Sequence, residues 1–211
     1  MVKIFRFDND TKEFSANTYV IGKIGLKCLI VDIGTTNDDV LDYIESHYEG
    51  VYGILLTHGH FDHIRGLTKI LKRFKNVPVY IASEDVKLLS DPQLNCSYMT
   101  NEHISMHIET IPVEDNQEIV VHNKFRFKVF KTPFHTMGSV CYLFEDDNAL
   151  FTGDTLFKGG IGRTDLDTSD AKLVSSSLNK LKQLNDYLVV YPGHGDVTRL
   201  GSEKETNPYF K

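Results

Sequence analysis

Gly53-Ile54-Leu55-Leu56-Thr57-His58-Gly59-His60-Phe61-Asp62-His63 sets a short apolar run directly against three imidazoles and a carboxylate. An apolar run of this length is expected as a buried strand, here over 53–57. If the chain stays extended beyond it, His58 and His60 point to the same side, because side chains alternate along an extended backbone. Neutral imidazole and carboxylate are the ligands that zinc and similar divalent ions prefer. A lone histidine would be read as a satisfied polar side chain or a helix cap. Four ligand-type residues within six point instead to a metal-binding loop.

Further along the chain, His135 and His194 also sit beside turn formers, and Asp154 follows Gly153, whose missing side chain lets backbone approach closely. With His58, His60, Asp62 and His63 they make seven candidate metal ligands. Seven is enough for two ions with open positions for water and substrate, and more than one ion needs. His103 and His107, four apart and able to share a helix face, lack neighbouring ligands, as do His47 and His122. All four are assigned to packing or the surface.

Around these residues, strands are expected over 2–7, 17–21 and 28–32, with turns at 8–10 and 22–25. A helix follows over 37–48, with Val40, Leu41 and Ile44 on one face and Thr36 with Asp39 as its cap. A second helix carries Leu67, Ile70, Leu71 and Phe74. Residues 78–82 read as a strand, and Ser83, Glu84 and Asp85 as the capped, acidic start of a helix. Residues 91–101 read as irregular. Strands are expected again over 118–122, 124–131, 139–144 and 149–151, with a hairpin turn at 145–148. A helix with Leu173, Val174, Leu178, Leu181 and Leu184 follows caps at Thr168 and Ser169, and 188–191 is a last strand. Strands then helices occur twice over, which two mixed sheets covered outside by helices would accommodate.

The chain has 211 residues, 41% apolar and 25% charged, and is expected to form one globular domain over 1–211. A net charge of -6 argues against nucleic-acid or anionic-membrane partners, which select clustered Lys and Arg. Cys28, Cys96 and Cys141 are odd in number and widely spaced, so they are expected to be buried free thiols in a reducing compartment. With no leader-like start and no apolar run near the roughly 20 residues of a spanning helix, the expected location is the cytoplasm.

The sequence resembles the metallo-β-lactamase superfamily, and most closely its compact glyoxalase II-like branch of thioester hydrolases. The likeness is carried by 57–63, then Thr132-Pro133-Phe134-His135-Thr136-Met137-Gly138-Ser139 and Phe151-Thr152-Gly153-Asp154. Gly162-Arg163-Thr164-Asp165, Tyr191-Pro192-Gly193-His194-Gly195 and the tail Asn207-Pro208-Tyr209-Phe210 complete it. The resemblance implies an α/β fold, the four-layer αβ/βα sandwich. It places His58, His60 and His135 on a first metal, Asp62, His63 and His194 on a second, and Asp154 between them. Zinc is the first expectation for both ions, with iron or manganese as alternatives. Two departures stand out. Phe134 replaces the usual glycine before the third metal histidine. Larger glyoxalase II enzymes also carry a C-terminal helical domain that helps bind glutathione, whereas this chain ends at Lys211, which leaves the thiol carrier open.

The activity implied is hydrolysis of a small-molecule thioester such as S-D-lactoylglutathione, by a hydroxide held between the ions. Asp62 is the candidate catalytic residue, binding metal and orienting the hydroxide or relaying its proton. Arg163, Tyr191 and Lys158 are candidates for recognising an anionic substrate, although Arg163 with Asp165 reads equally well as a structural ion pair. Gly159-Gly160-Ile161-Gly162 has neither a P-loop lysine nor a dinucleotide fingerprint and reads as a turn. The alternatives are an iron-dependent persulfide dioxygenase on the same fold, or a metallo-hydrolase of another ester or lactone. The sequence leaves the oligomeric state open.

Overall fold

A computed structural model describes residues 2–8 and 15–210. The chain divides into two compact units, residues 1–81 with 86–112, and residues 82–85 with 113–211.

The first unit is organised by a six-stranded sheet in the order β1-β2-β3-β4-β5-β6. Its strands are β1 (Lys3–Phe7), β2 (Thr18–Gly22), β3 (Cys28–Val31), β4 (Val51–Leu55), β5 (Val79–Ala82) and β6 (Ile111–Val113). The first three pair antiparallel, whereas β3, β4 and β5 run parallel. Parallel strands need crossovers, and α1 (Asp39–His47) followed by α2 (Phe61–Ile64) and α3 (Leu67–Arg73) supply them. β3 is buried along its whole length, as its unbroken apolar sequence demands. Val40, Leu41 and Ile44 of α1 and Leu67 and Ile70 of α3 pack with Ile30, Ile54 and Ile81 in one core.

The second unit repeats the plan with the order β12-β11-β10-β9-β8-β7. Here β7 (Glu118–Val121), β8 (Phe125–Lys131), β9 (Val140–Phe144) and β10 (Ala149–Gly153) form an antiparallel meander. β11 (Val189–Pro192) joins β10 in parallel after α4 (Val174–Lys182), and β12 (Thr198–Arg199) leads into α5 (Leu200–Thr206). Leu178, Leu181, Leu150, Val190, Leu200 and Phe210 share its core.

Several local expectations are revised. Thr36 does not cap α1: the N-cap is Asp38, with no side-chain cap bond, while the Thr35 hydroxyl accepts from Asn37 N–H. Ser83–Leu89 is a 3-10 stretch, and Asp85 is buried in a hydrogen-bond network instead of facing a helix end. Ahead of α4 the capping side chain is Asp170, which accepts from Lys172 N–H. Ser169 instead donates to the carbonyl of His135. His103 and His107 share no helix, because 102–110 has no regular structure. His122 and Asn123 both take positive φ in the tight β7–β8 turn. β6, β12 and α5 were not anticipated. Of the turn expected at 8–10, Asn9 and Asp10 lie outside the described residues.

None of the three cysteines forms a disulfide, and all three are buried. Burial pushes the Cys28 thiol up to about 12 and the Cys141 thiol to about 11. Both should therefore resist a thiol-disulfide reagent at pH 8 in the native chain and react once it is unfolded. Their folded values lie above the unfolded ones, so they contribute stability fully below about pH 8.5. That contribution is lost as the pH rises towards 11–12, and the denaturant midpoint is expected to fall over this window. Rapid native labelling at pH 8 would contradict the burial.

Candidate metal centre

Chain direction explains where the candidate ligands gather. In the first unit β3 and β4 are parallel neighbours, so Asp32, one residue past β3, and Thr57 with His58, just past β4, emerge at the same end of the sheet. In the second unit β8 and β10 are both antiparallel to β9, and β11 is parallel to β10. His135, Asp154 and His194 follow the C-terminal ends of these three like-directed strands. C-terminal strand ends are the usual place for ligands in open α/β sheets.

The spacing of the first motif reflects a change of backbone. Residues 58–60 are irregular, with His60 extended, and α2 then begins at Phe61, so Asp62 and His63 sit on a single helical turn. This replaces the expected continuous loop. The imidazoles of His58 and His60 lie 4.8 Å apart and those of His58 and His63 4.0 Å apart, between centroids. His63 Nε2 lies 3.9 Å from Asp62 Oδ2. All four side chains are buried.

Asp32, which sequence reasoning took for the end of a strand, orients this group. Its carboxylate accepts from Thr57 N–H (2.8 Å), from the Thr57 hydroxyl (2.7 Å) and from His63 Nδ1 (2.8 Å). Because the Thr57 hydroxyl donates to Asp32, its oxygen accepts from His58 Nδ1 at 3.1 Å. Both histidines thus keep their proton on Nδ1 and turn the lone pair of Nε2 outward, the tautomer that a metal ligand requires. Asp32 is 2% exposed and holds φ at 53°, a strained value for a residue other than glycine. The available signal was an acidic residue closing the apolar run of β3.

In the second unit His135 Nδ1 donates to the carbonyl of Arg163 at 2.9 Å, which again leaves Nε2 with the lone pair. That atom is 3.3 Å from Asp154 Oδ2, and His194 Nε2 is 3.6 Å from the same oxygen. A lone pair facing a buried carboxylate oxygen is repulsive until a cation lies between them, so this donor set fits a divalent ion. Gly162 makes the approach possible: a Cβ there would stand 2.2 Å from the Asp154 carbonyl oxygen and 3.0 Å from His135 Nδ1.

The loop bearing His135 is tied down from below. Asp85 accepts from the Thr136 hydroxyl (2.7 Å) and from Gly138 N–H (2.8 Å), and Ser169 donates to the His135 carbonyl (2.8 Å). Phe134, the departure from the family pattern, is fully buried and its carbonyl accepts from Asp170 N–H. It serves as packing under the loop.

Arg163 forms a bidentate, exposed pair with Asp165 at 2.7 and 2.9 Å, which holds the Asp165 carboxyl below its ordinary range. Lys158 pairs with Asp196 at 3.2 Å. Tyr191 stacks on Phe151 with centroids 5.0 Å apart, and burial, with a smaller contribution from Asp147, raises its phenol above the usual range.

A family model described as metallo-beta-lactamase superfamily matches residues 11–194. The chain belongs to the metallo-β-lactamase superfamily. Its fold is that of the superfamily. It is 34% identical over 186 residues to a probable metallo-hydrolase of Streptococcus pyogenes, covering 86% of this chain and 80% of the relative. It is 32% identical over 200 residues to the hydroxyacylglutathione hydrolase GloC of Haemophilus influenzae, covering 93% of each. Among solved structures, the BLEG-1 B3 metallo-beta-lactamase superposes with a TM-score of 0.88 at 32% identity, covering 100% of both chains. Among the described residues no helix is long and apolar enough to cross a membrane.

Proposed function

We propose that this superfamily member is a thioester hydrolase of the glyoxalase II type, acting on a small S-hydroxyacyl thiol such as S-D-lactoylglutathione. The observation that carries the reading is its similarity over 93% of both chains to a hydroxyacylglutathione hydrolase. In this reading the seven donors serve one binuclear centre. His58, His60 and His135 would hold one ion and Asp62, His63 and His194 the other, with Asp154 shared. The fixed Nδ1–H tautomers of His58, His63 and His135 support it. Zinc is the first candidate for both ions, and iron or manganese would suit the same donors.

Divalent ions bound there would bring the pKa of a water from 15.7 to about 7 and polarise the substrate carbonyl. The chain's own groups do the rest. Asp62, held on the first turn of α2, takes the proton of the attacking water at its carboxylate and passes it to the departing sulfur. Water oxygen bonds to the carbonyl carbon, the carbon–sulfur bond breaks, and acid and thiol result. The histidines, locked through Asp32, Thr57 and the Arg163 carbonyl, keep the donors in place without reorganisation. Arg163, Tyr191 and Lys158 remain candidates for contact with the thiol carrier.

The test is thiol release from S-D-lactoylglutathione by purified, metal-replete protein, beside Asp62→Ala and a chelated sample. Efficient release is expected, abolished by chelation and reduced at least about 10²-fold by Asp62→Ala, the scale of losing a general acid–base. No release by the loaded, folded chain would sink glutathione thioesters as substrates. Oxygen uptake with a persulfide would then identify a dioxygenase, and turnover of a β-lactam or lactone a different hydrolase.

A further inference from the structure

Glu203 and Asn207 sit on the C-terminal α5 and just after it, where no apolar period announces a core. Yet Glu203 is 2% and Asn207 1% exposed. All the bonds that Glu203 makes here are ones it accepts. Oε2 takes Gly159 N–H at 2.7 Å and Asn207 Nδ2 at 3.0 Å, and Oε1 takes the Thr198 hydroxyl at 2.7 Å. Asn207 Nδ2 also donates to the carbonyls of Phe157 (3.3 Å) and Gly160 (3.1 Å).

Three of these bonds converge on one turn, Phe157 to Gly160, which is closed by the pairing of its own ends at 2.9 and 3.3 Å. Gly159 there has φ of 74° and a Cβ would meet nothing, so local packing does little to hold the turn. The turn carries Phe157, whose ring stands edge-on to the imidazole of His194, 5.8 Å between centroids at 90°. His194 lies between Gly193 and Gly195, and its side chain is about one-third exposed.

We propose that Glu203 and Asn207 are positioning residues for His194. They fix the 157–160 turn from beneath, and through the Phe157 ring they fix the imidazole orientation. A buried, fully bonded polar network of this kind is rigid, and losing one member loosens all of it. Its importance for metal binding rests on the proposed reading of His194 as a ligand. The orientation itself does not.

Asn207→Asp keeps the shape but cannot donate to the two carbonyls, and it sets a carboxylate against Glu203. Glu203→Gln is the conservative partner: its amide oxygen can serve Gly159 and Asn207, while its NH2 donates to Thr198, whose hydroxyl can turn to accept. The readout is the nuclear Overhauser contact between the Phe157 ring and His194 in the metal-free, histidine-labelled full chain, assigned with His194→Gln. Asn207→Asp should lose the contact and shift the His194 signals while those of His135 stay. Glu203→Gln should keep both. Leu181→Ala, a core truncation in the same unit, should lower stability and leave the contact intact. If Asn207→Asp does not fold, Phe157→Leu replaces it and must move the His194 signals alone. Persistence of the contact in folded Asn207→Asp, equal loss in Leu181→Ala, or unmoved His194 signals in Phe157→Leu overturns the proposal. Metal titration is scored separately, with one of two ions expected to bind about tenfold or more weakly in Asn207→Asp. A wild type that binds fewer than two ions refutes the binuclear reading, while the contact data still decide the positioning.

Discussion

Asp32→Ala is expected to lower the stability of the metal-free chain by on the order of 3 kcal/mol and to weaken metal binding by about 10–100-fold. The carboxylate receives three donors, and its removal leaves Thr57 N–H, the Thr57 hydroxyl and His63 Nδ1–H facing a void. A buried donor left unsatisfied costs about 1–3 kcal/mol, and partial rearrangement of the Thr57 hydroxyl offsets some of the sum. For a chain of this length that loss corresponds to a fall in Tm of roughly 6–12 °C. The metal effect has a separate origin. Without Asp32 the His63 ring can flip or change tautomer, and the Thr57 hydroxyl no longer fixes the proton of His58. Asp32→Asn sharpens the test, since its single oxygen cannot serve both the Thr57 N–H side and the His63 side. Circular dichroism melting with chelator present and competitive metal titration measure the two effects independently. A folded Asp32→Asn chain with unchanged metal affinity would show that these histidines need no orienting carboxylate.

That Asp32 escaped notice while His58 to His63 did not follows from what sequence spacing records. Ligand-type residues crowded into six positions are conspicuous because few structural roles require them together. A supporting carboxylate lies 25 residues before its partner Thr57 and 31 before His63, and looks like any aspartate at the end of a strand. The same limit applies to Asp85, 51 residues before Thr136. As the second acid after Ser83 it matched a helix start, a local rule that a long-range hydrogen-bond network overrode. Elements followed suit. β3, β4, β10 and α1 were legible because their apolar residues carry the period of a buried strand or of one helical face. α5, Leu-Gly-Ser-Glu-Lys-Glu-Thr, has one apolar residue and packs through Leu200 and the buried Glu203, so periodicity had nothing to find. β12 spans two residues, too few for any period. The family motifs marked where the chain turns towards the site. Which groups orient His58, His63 and His135 became visible only from the hydrogen bonds within each unit.

Asp154→Asn should separate stability from function in the opposite sense. Asp154 is 8% exposed and its Oδ2 faces His135 Nε2 at 3.3 Å and His194 Nε2 at 3.6 Å. Because His135 donates its Nδ1 proton to Arg163, a negative oxygen is held against a lone pair, an arrangement that costs free energy in a buried place. Replacing the carboxylate by an amide of the same shape relieves that cost and supplies an N–H that His135 can accept. The backbone bond from Gly162 N–H to the Asp154 carbonyl, 2.9 Å, is untouched. The metal-free variant is therefore expected to melt at or above the wild-type temperature. Metal binding should move the other way, because the amide removes the charge that two cations would share, and in the proposed reading thioester turnover falls by about 10²–10³-fold, the scale of losing one preorganised electrostatic group. Melting in chelator, metal content after dialysis and thiol release from the same preparations decide it. A lower metal-free Tm would mean that the Asp154 carboxylate is net stabilising in the empty site. Unchanged metal content and turnover would remove Asp154 from the ligand set and leave six donors, still three to each ion but with nothing between them. A more stable apo chain that loses metal and activity would show a carboxylate kept, at the expense of stability, for the ions it serves.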